Sequence, residues 1–156
     1  YAMTGWRVGF GIADESTIGA MTRLQSHSTS SINTIAQKAS VVAFDCQDEV
    51  REMSQAFKQR RDILVDALTD VPNISFNIPD GAFYVFPDIS YFFGKTIKGK
   101  TINNANDFSL FLLEEANVAT VTGDAFGAPN CIRISYAASE DLLRKAIDRI
   151  QKAIQS

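Results

Sequence analysis

The hydrophobic and polar positions of this chain follow two different patterns, which meet near Pro72. From about Ser31 up to that point, apolar residues recur every three or four positions, as they do on one face of an amphipathic helix. The apolar members of the repeat are Ile32, Ile35, Ala36, Ala39, Val42, Ala43, Cys46, Val50, Met53, Phe57, Leu64 and Leu68. The pattern predicts one continuous helix over residues 31–70, about 38 residues and about 55 Å long, which is long enough to link two domains.

Beyond Pro72, short apolar segments alternate with turn signals, which is typical of a small α+β domain. Predicted strands span residues 74–78, 82–86, 118–121 and 131–136, and residues 92–106 are polar and predict a loop. One helix is expected after a cap at Asn104 or Asn106, and another after a cap at Ser139. Residues 71–156 therefore predict three or four strands with two flanking helices.

The first 30 residues have a different character. Residues 8–13 form an apolar, glycine-containing run that predicts a buried strand, Asp14 is placed to cap a helix, and residues 25–31 predict a polar loop. The predicted strand has no partner elsewhere in the pattern. We therefore expect residues 1–30 to be the end of another domain, residues 31–70 to be the linking helix, and residues 71–156 to be the small domain.

Composition narrows the possible functions. With 46% hydrophobic residues the chain can build a core, and a net charge of −3 argues against a general nucleic-acid or anionic-membrane binder. No apolar run reaches the roughly 18 residues of a membrane span. Cys46 and Cys131 lie far apart, and with the single His27 they make no metal site, so free thiols in a cytoplasmic protein are favoured over a disulfide.

Two arginines stand out by their context. Arg7 lies directly before the apolar run at residues 8–13, and Arg133 lies in an alternating strand where Ile132 and Ile134 share the opposite face. Such an arginine is either an exposed edge residue, half of a structural ion pair, or a planar fork that binds a carboxylate with two hydrogen bonds. The residues alone leave these alternatives open.

The first nine residues, Tyr1 to Gly9, read YAMTGWRVG. They resemble the segment that follows the Schiff-base lysine of class I pyridoxal-phosphate aminotransferases, above all the bacterial aspartate aminotransferase subgroup. The resemblance implies that this lysine is expected just upstream of Tyr1, separated by one residue, and that Arg7 binds the cofactor phosphate. None of the chain's own lysines has a matching context, so the resemblance assigns no catalytic residue within it.

Other segments resemble the same family in the same order. They are residues 28–31 with 34–37, residues 79–84, residues 123–127 and residues 132–137, which read STSS, TIAQ, PDGAFY, GDAFG and IRISYA. The resemblance implies that Arg133 grips the substrate α-carboxylate. It also suggests that Phe126 lines the substrate entrance, with core packing as the alternative for that ring.

The resemblance implies an α/β fold, namely the C-terminal portion of the pyridoxal-phosphate-dependent transferase fold. It further implies pyridoxal 5'-phosphate as cofactor, an amino acid and a 2-oxo acid as substrates, and a homodimer, with no nucleic-acid or membrane partner. Aspartate is the expected amino donor, although aromatic amino acids and prephenate remain open. This chain alone is expected to be inactive. The alternative is the aminotransferase-like effector-binding domain of a transcription regulator, which an upstream winged-helix domain would indicate.

Overall fold

The structure, a computed structural model, describes residues 1–155, and it divides after Ser54 into two compact units. The first unit contains a 3₁₀ turn at Thr4–Trp6, helix α1 (Glu15–Ser28), helix α2 (Thr34–Ala43) and the beginning of helix α3 (Gln47–Thr69). The second unit contains the rest of α3 and all of the strands. No helix within residues 1–155 combines the length and the apolar character that crossing a membrane requires.

Polar side chains begin the helices of the first unit. The Asp14 carboxylate accepts a hydrogen bond from the backbone N–H of Thr17 at 3.0 Å and from the Ser16 and Thr17 hydroxyls at 2.7 Å. These donors, the Ser16 hydroxyl first, hold the pKa of Asp14 well below its ordinary value. The predicted cap at Asp14 is thus confirmed, and Asn33 caps α2 in the same way through the N–H of Ala36 at 2.8 Å.

The prediction of one continuous helix over residues 31–70 is wrong. Helix α2 ends at Ala43 and α3 begins at Gln47, because the chain makes tighter hydrogen bonds at the junction. The N–H groups of Asp45 and Cys46 bond to carbonyls three residues back, on Val42 and Ala43, at 3.0 and 3.1 Å. The apolar repeat continues across this junction, so the sequence pattern does not reveal it.

Two further predictions for the first unit have different outcomes. Residues 8–13 pair with none of the strands of residues 1–155, so the strand expected there stays a prediction for a sheet with strands of another domain. In this segment Phe10 is 73% and Ile12 is 95% exposed. Residues 25–28 belong to α1 rather than to a loop, because the helical ladder runs on to the bond from Thr29 N–H to the Gln25 carbonyl.

The second unit is built around a three-stranded antiparallel sheet. Its order is β1 (Tyr84–Val85), β5 (Ile132–Ser135) and β4 (Val121–Thr122), so β5 is the central strand. The central strand pairs Tyr84 with Ser135 on one side and Val121 with Arg133 on the other. The strand predicted at residues 74–78 is wrong in extent, because only a single bridge from Ser75 to Asp88 forms there.

A separate two-stranded hairpin joins β2 (Lys95–Ile97) to β3 (Lys100–Ile102). The sequence predicts a loop here, which is wrong. Lys98 and Gly99 adopt φ angles of 49° and 78°, and two positive φ angles at the turn match the right-handed twist of a tight hairpin. Lysines occupy three positions of this hairpin, so its short apolar alternation does not stand out in the sequence.

Helix α4 (Ala105–Ala116) and helix α5 (Glu140–Gln155) complete the second unit. Asn104 caps α4 by accepting from the N–H of Asp107 at 2.9 Å, as one of the two predicted alternatives. Buried residues from α3, α4, α5 and one face of the sheet form a single core: they include Leu64, Leu68, Val85, Ile102, Phe108, Phe111, Leu112, Ile132, Ile134, Leu143, Ile147 and Ile150. The sheet's other face carries the polar side chains of β5.

Candidate functional site

The alternation along β5 places Arg133 on the face of the sheet that is turned away from the core. Ile132 and Ile134 are 1% and 8% exposed in the core, and Arg133 between them is half-buried on the other side. This is the arrangement that the sequence predicts. The core therefore fixes the backbone of Arg133 while its side chain stays accessible.

Two aromatic rings contact the guanidinium of Arg133. Its central carbon lies 4.4 Å from the ring centroid of Tyr84 and 4.4 Å from that of Phe126. Tyr84 comes from the neighbouring strand β1, and Phe126 from the 3₁₀ turn Asp124–Phe126. Phe86 supports Phe126 edge-on, with ring centroids 5.8 Å apart. At these distances the rings attract the cation without neutralising it.

Within residues 1–155, no carboxylate forms an ion pair with Arg133. The ring faces that the guanidinium contacts carry no lone pair of the kind that an ordinary hydrogen-bond acceptor offers. Arg133 therefore combines a fixed backbone, a retained positive charge and donors that suit the two oxygens of a carboxylate.

The turn that leads into β1 is held by two side chains from other elements. The Tyr136 hydroxyl donates to the Ala82 carbonyl at 3.0 Å, and the Arg61 guanidinium donates to the Pro79 carbonyl at 3.2 Å. Burial raises the pKa of Tyr136, so its hydroxyl keeps the proton that it donates. These contacts fix the position at which Tyr84 enters the site.

The loop that carries Phe126 is equally constrained. The Gly123 N–H donates to the Cys131 carbonyl at 2.8 Å, and the Gly123 carbonyl accepts from the Ala128 N–H at 3.0 Å. A Cβ atom at Gly123 would lie 2.0 Å from the Ala128 oxygen, so no side chain fits there. The close packing of this loop sets the place of the Phe126 ring.

Arg7 belongs to the first unit and is exposed. Its φ of 58° is left-handed, and its Nη1 donates to the Thr4 carbonyl at 3.1 Å. It borders an open cavity of about 710 Å³ with a lining of hydroxyl, amide and apolar groups and no carboxylate, formed by Ala2, Gly5, Trp6, Arg7, Gln25, Thr29, Ser31, Ile32, Asn33 and Ile35. A cation beside hydroxyl and amide donors fits an anion such as a phosphate.

The structure brings two of the three predicted site residues together, since Arg133 and Phe126 are in contact. Tyr84 is the contact that sequence reasoning misses. It lies in the segment PDGAFY, which the sequence singles out, yet the pattern assigns it no role. The missing information is the strand register, which places Tyr84 opposite Ser135 and on the same face as Arg133.

Comparison with known proteins gives consistent results. The aspartate aminotransferase of Pinus pinaster is 43% identical over 159 residues, which cover 99% of this chain and 32% of that protein. The crystal structure of the aspartate aminotransferase from Rhizobium meliloti superposes with a TM-score of 0.91 at 43% identity, covering 99% of this chain and 39% of that one. The aspartate aminotransferase from Thermus thermophilus with maleate gives 0.83 at 38% identity, covering 97% and 38%.

The chain thus spans less than two fifths of the length of these relatives. The structural similarity confirms the predicted α/β fold class, with the chain matching one portion of the aminotransferase fold. The model of the family "Aminotransferase class I and II" matches residues 1–150. The chain therefore belongs to the class I and II aminotransferases.

Proposed function

We propose that this chain acts within an aminotransferase that moves an amino group from an amino acid to a 2-oxo acid. Family membership supports this reaction class, and relatives whose names specify aspartate support aspartate as the amino donor. The regulator alternative has no specific support in the described residues. The division into residues 1–30, 31–70 and 71–156 stays a prediction for the complete polypeptide.

The observation that carries the proposal is the environment of Arg133. A guanidinium held by the core strand β5, contacted by two rings and not paired with a carboxylate of residues 1–155 is suited to bind a carboxylate from outside. In this role Arg133 grips the α-carboxylate that every amino-acid and 2-oxo-acid substrate carries. Phe126, which is 49% exposed, contributes the apolar wall beside that carboxylate.

Pyridoxal 5'-phosphate, when bound, supplies an electron sink for the negative charge that develops at the substrate Cα. The surroundings of Arg7 fit its phosphate group, because the guanidinium stands beside hydroxyl and amide side chains and no carboxylate lines that cavity. Arg7 would hold the phosphate, and Arg133 would orient the substrate through its carboxylate. No lysine of this chain is assigned to cofactor attachment. A homodimer is proposed for the complete protein, on the family resemblance alone.

The test is the substitution Arg133→Lys in the native polypeptide that contains this chain. Lysine keeps the charge but loses the planar pair of donors, so kcat/KM should fall by about a hundredfold for substrates of every side-chain type. Arg144→Lys, on the exposed side of α5, is the matched control and should behave as the wild type. A loss confined to dicarboxylic substrates would instead assign Arg133 to the side-chain carboxylate and contradict the proposal.

A further inference from the structure

We infer that Tyr84 is the positioning residue for Arg133: its ring holds the guanidinium in the orientation that receives a substrate carboxylate. The inference rests on the proposed function, in which Arg133 binds that carboxylate. Its basis is the 4.4 Å contact between the Arg133 guanidinium carbon and the Tyr84 ring centroid. Comparison with the second ring, Phe126, shows why Tyr84 is assigned this role.

Phe126 lies at the same distance from the guanidinium, but its ring is more exposed to solvent. It sits in a loop and is 49% exposed, whereas Tyr84 belongs to β1 and is half-buried. The Tyr84 backbone pairs with Ser135 on the central strand, and the ring centroids of Phe83 and Tyr84 lie 4.2 Å apart. Tyr84 therefore provides the contact that the sheet holds, and Phe126 provides the solvent-facing one.

The preceding turn adds to this rigidity. Ala82 adopts a left-handed φ of 59°, and the Tyr136 hydroxyl and backbone N–H donate to the carbonyls of Ala82 and Phe83 at 3.0 and 2.9 Å. Because Tyr136 is 2% exposed in the core, the core restrains the approach of the chain to Tyr84. The flexible side chain of Arg133 thus lies against the ring of Tyr84. The backbone of Tyr84 is held by the preceding turn and by its pairing with Ser135.

An aromatic face suits this task because of what it does not do. It attracts the positive charge through its quadrupole, yet it neither neutralises that charge nor competes as a carboxylate would. A carboxylate at this position would pair with Arg133 permanently. The ring of Tyr84 restricts the rotamers of Arg133 and leaves its N–H groups to the substrate, so that less side-chain freedom is lost on binding.

The Tyr84 hydroxyl forms no hydrogen bond with any residue that the structure describes, so the inferred role belongs to the ring alone. This predicts a specific order of variants. Tyr84→Phe keeps the face and should behave as the wild type, whereas Tyr84→Leu and Tyr84→Met keep apolar bulk without a π face and should not.

The experiment measures the binding of maleate, a dicarboxylate, by calorimetry to the native polypeptide that contains this chain. Tyr84→Leu and Tyr84→Met should raise the Kd about tenfold, and Tyr84→Phe by less than about twofold. Tyr91→Leu is the matched control. Tyr91 is also a tyrosine with an accessible side chain, but it contacts Phe92 and Lys95 instead of Arg133. Thermal unfolding of each variant identifies any that is not folded, and the methionine variant replaces the leucine variant in that case.

A double-mutant cycle separates positioning from general structural support. If Tyr84 acts through Arg133, then Tyr84→Leu should weaken maleate binding in the wild type but add nothing in an Arg133→Gln background, where the ring has no cation to hold. Equal losses in both backgrounds would overturn the inference, and so would wild-type affinity in both Tyr84→Leu and Tyr84→Met.

The proposed function fails in a different way. If Arg133→Lys binds maleate as tightly as the wild type, then Arg133 is not the carboxylate site. If Arg133→Lys loses binding while the Tyr84 variants retain it, only the role of Tyr84 is wrong.

Discussion

The hydroxyl of Tyr136 donates a hydrogen bond to the backbone carbonyl of Ala82, 54 positions away in the sequence, at 3.0 Å. This bond ties the residue after the central strand to a turn in which Ala82 has a left-handed φ of 59°. A non-glycine residue adopts this conformation only when its surroundings hold it there. The bond therefore links the core to the geometry of the Arg133 site.

Tyr136→Phe should lower the free energy of unfolding by about 1–2 kcal/mol, because the Ala82 carbonyl loses its partner while the ring keeps its packing. Urea denaturation measures the change. Tyr91→Phe removes a hydroxyl from a residue that is 51% exposed and should leave the midpoint in place. Identical midpoints for the wild type and Tyr136→Phe would contradict the role given to this bond.

Gly123→Ala should destabilise the loop that carries Phe126. The new Cβ would lie 2.0 Å from the Ala128 oxygen and 2.6 Å from the Cys131 oxygen, both of them backbone atoms that cannot simply rotate away. We expect a loss of about 2 kcal/mol or more in urea denaturation, as for overpacked sites. Gly81→Ala is the control, because a Cβ atom at that position would meet no heavy atom within 4 Å. A urea denaturation curve of Gly123→Ala that matches the curve of Gly81→Ala would show that the loop adjusts freely to the added Cβ atom.

Acid should loosen the start of α1 through Asp14. Its pKa is lower in the folded chain than its ordinary value of 3.8, so the carboxylate stabilises the folded state fully above that pH. The contribution is lost as the pH falls below 3.8 towards the depressed folded pKa. The protection of the Thr17 amide, which is its exchange rate measured by NMR relative to that of an unfolded chain at the same pH, should decrease over this range. In Asp14→Asn, whose amide oxygen accepts without titrating, exchange at Thr17 should not follow the same acid dependence.

Arg7→Ala should weaken retention of pyridoxal phosphate by about tenfold or more, because the phosphate loses a charge-assisted donor. The measurement is cofactor absorbance after dialysis of the native polypeptide that contains this chain. Arg23→Ala removes a positive charge from exposed α1 and serves as the control. If Arg7→Ala retains pyridoxal phosphate as well as the wild type does, then the role of Arg7 is limited to its contact with the Thr4 carbonyl.

Local chemistry explains which features are predictable from the sequence. The caps at Asp14 and Asn104 follow from polar side chains that bond within three residues, and the alternation around Arg133 follows from strand geometry. The junction between α2 and α3 does not follow, since its apolar repeat is uninterrupted. The contact between Tyr84 and Arg133 depends on strand register and on a distant loop, and neither is encoded in a local pattern.

The alternation along β5 also divides this strand of four residues into two faces with different requirements. Ile132 and Ile134 contribute to the core, and Arg133 and Ser135 face away from it. Substitutions on the outward face, at Tyr84 or Phe126, change the surroundings of Arg133 without altering the volume that the core must fill. The two faces of this strand can therefore accept sequence changes independently of each other.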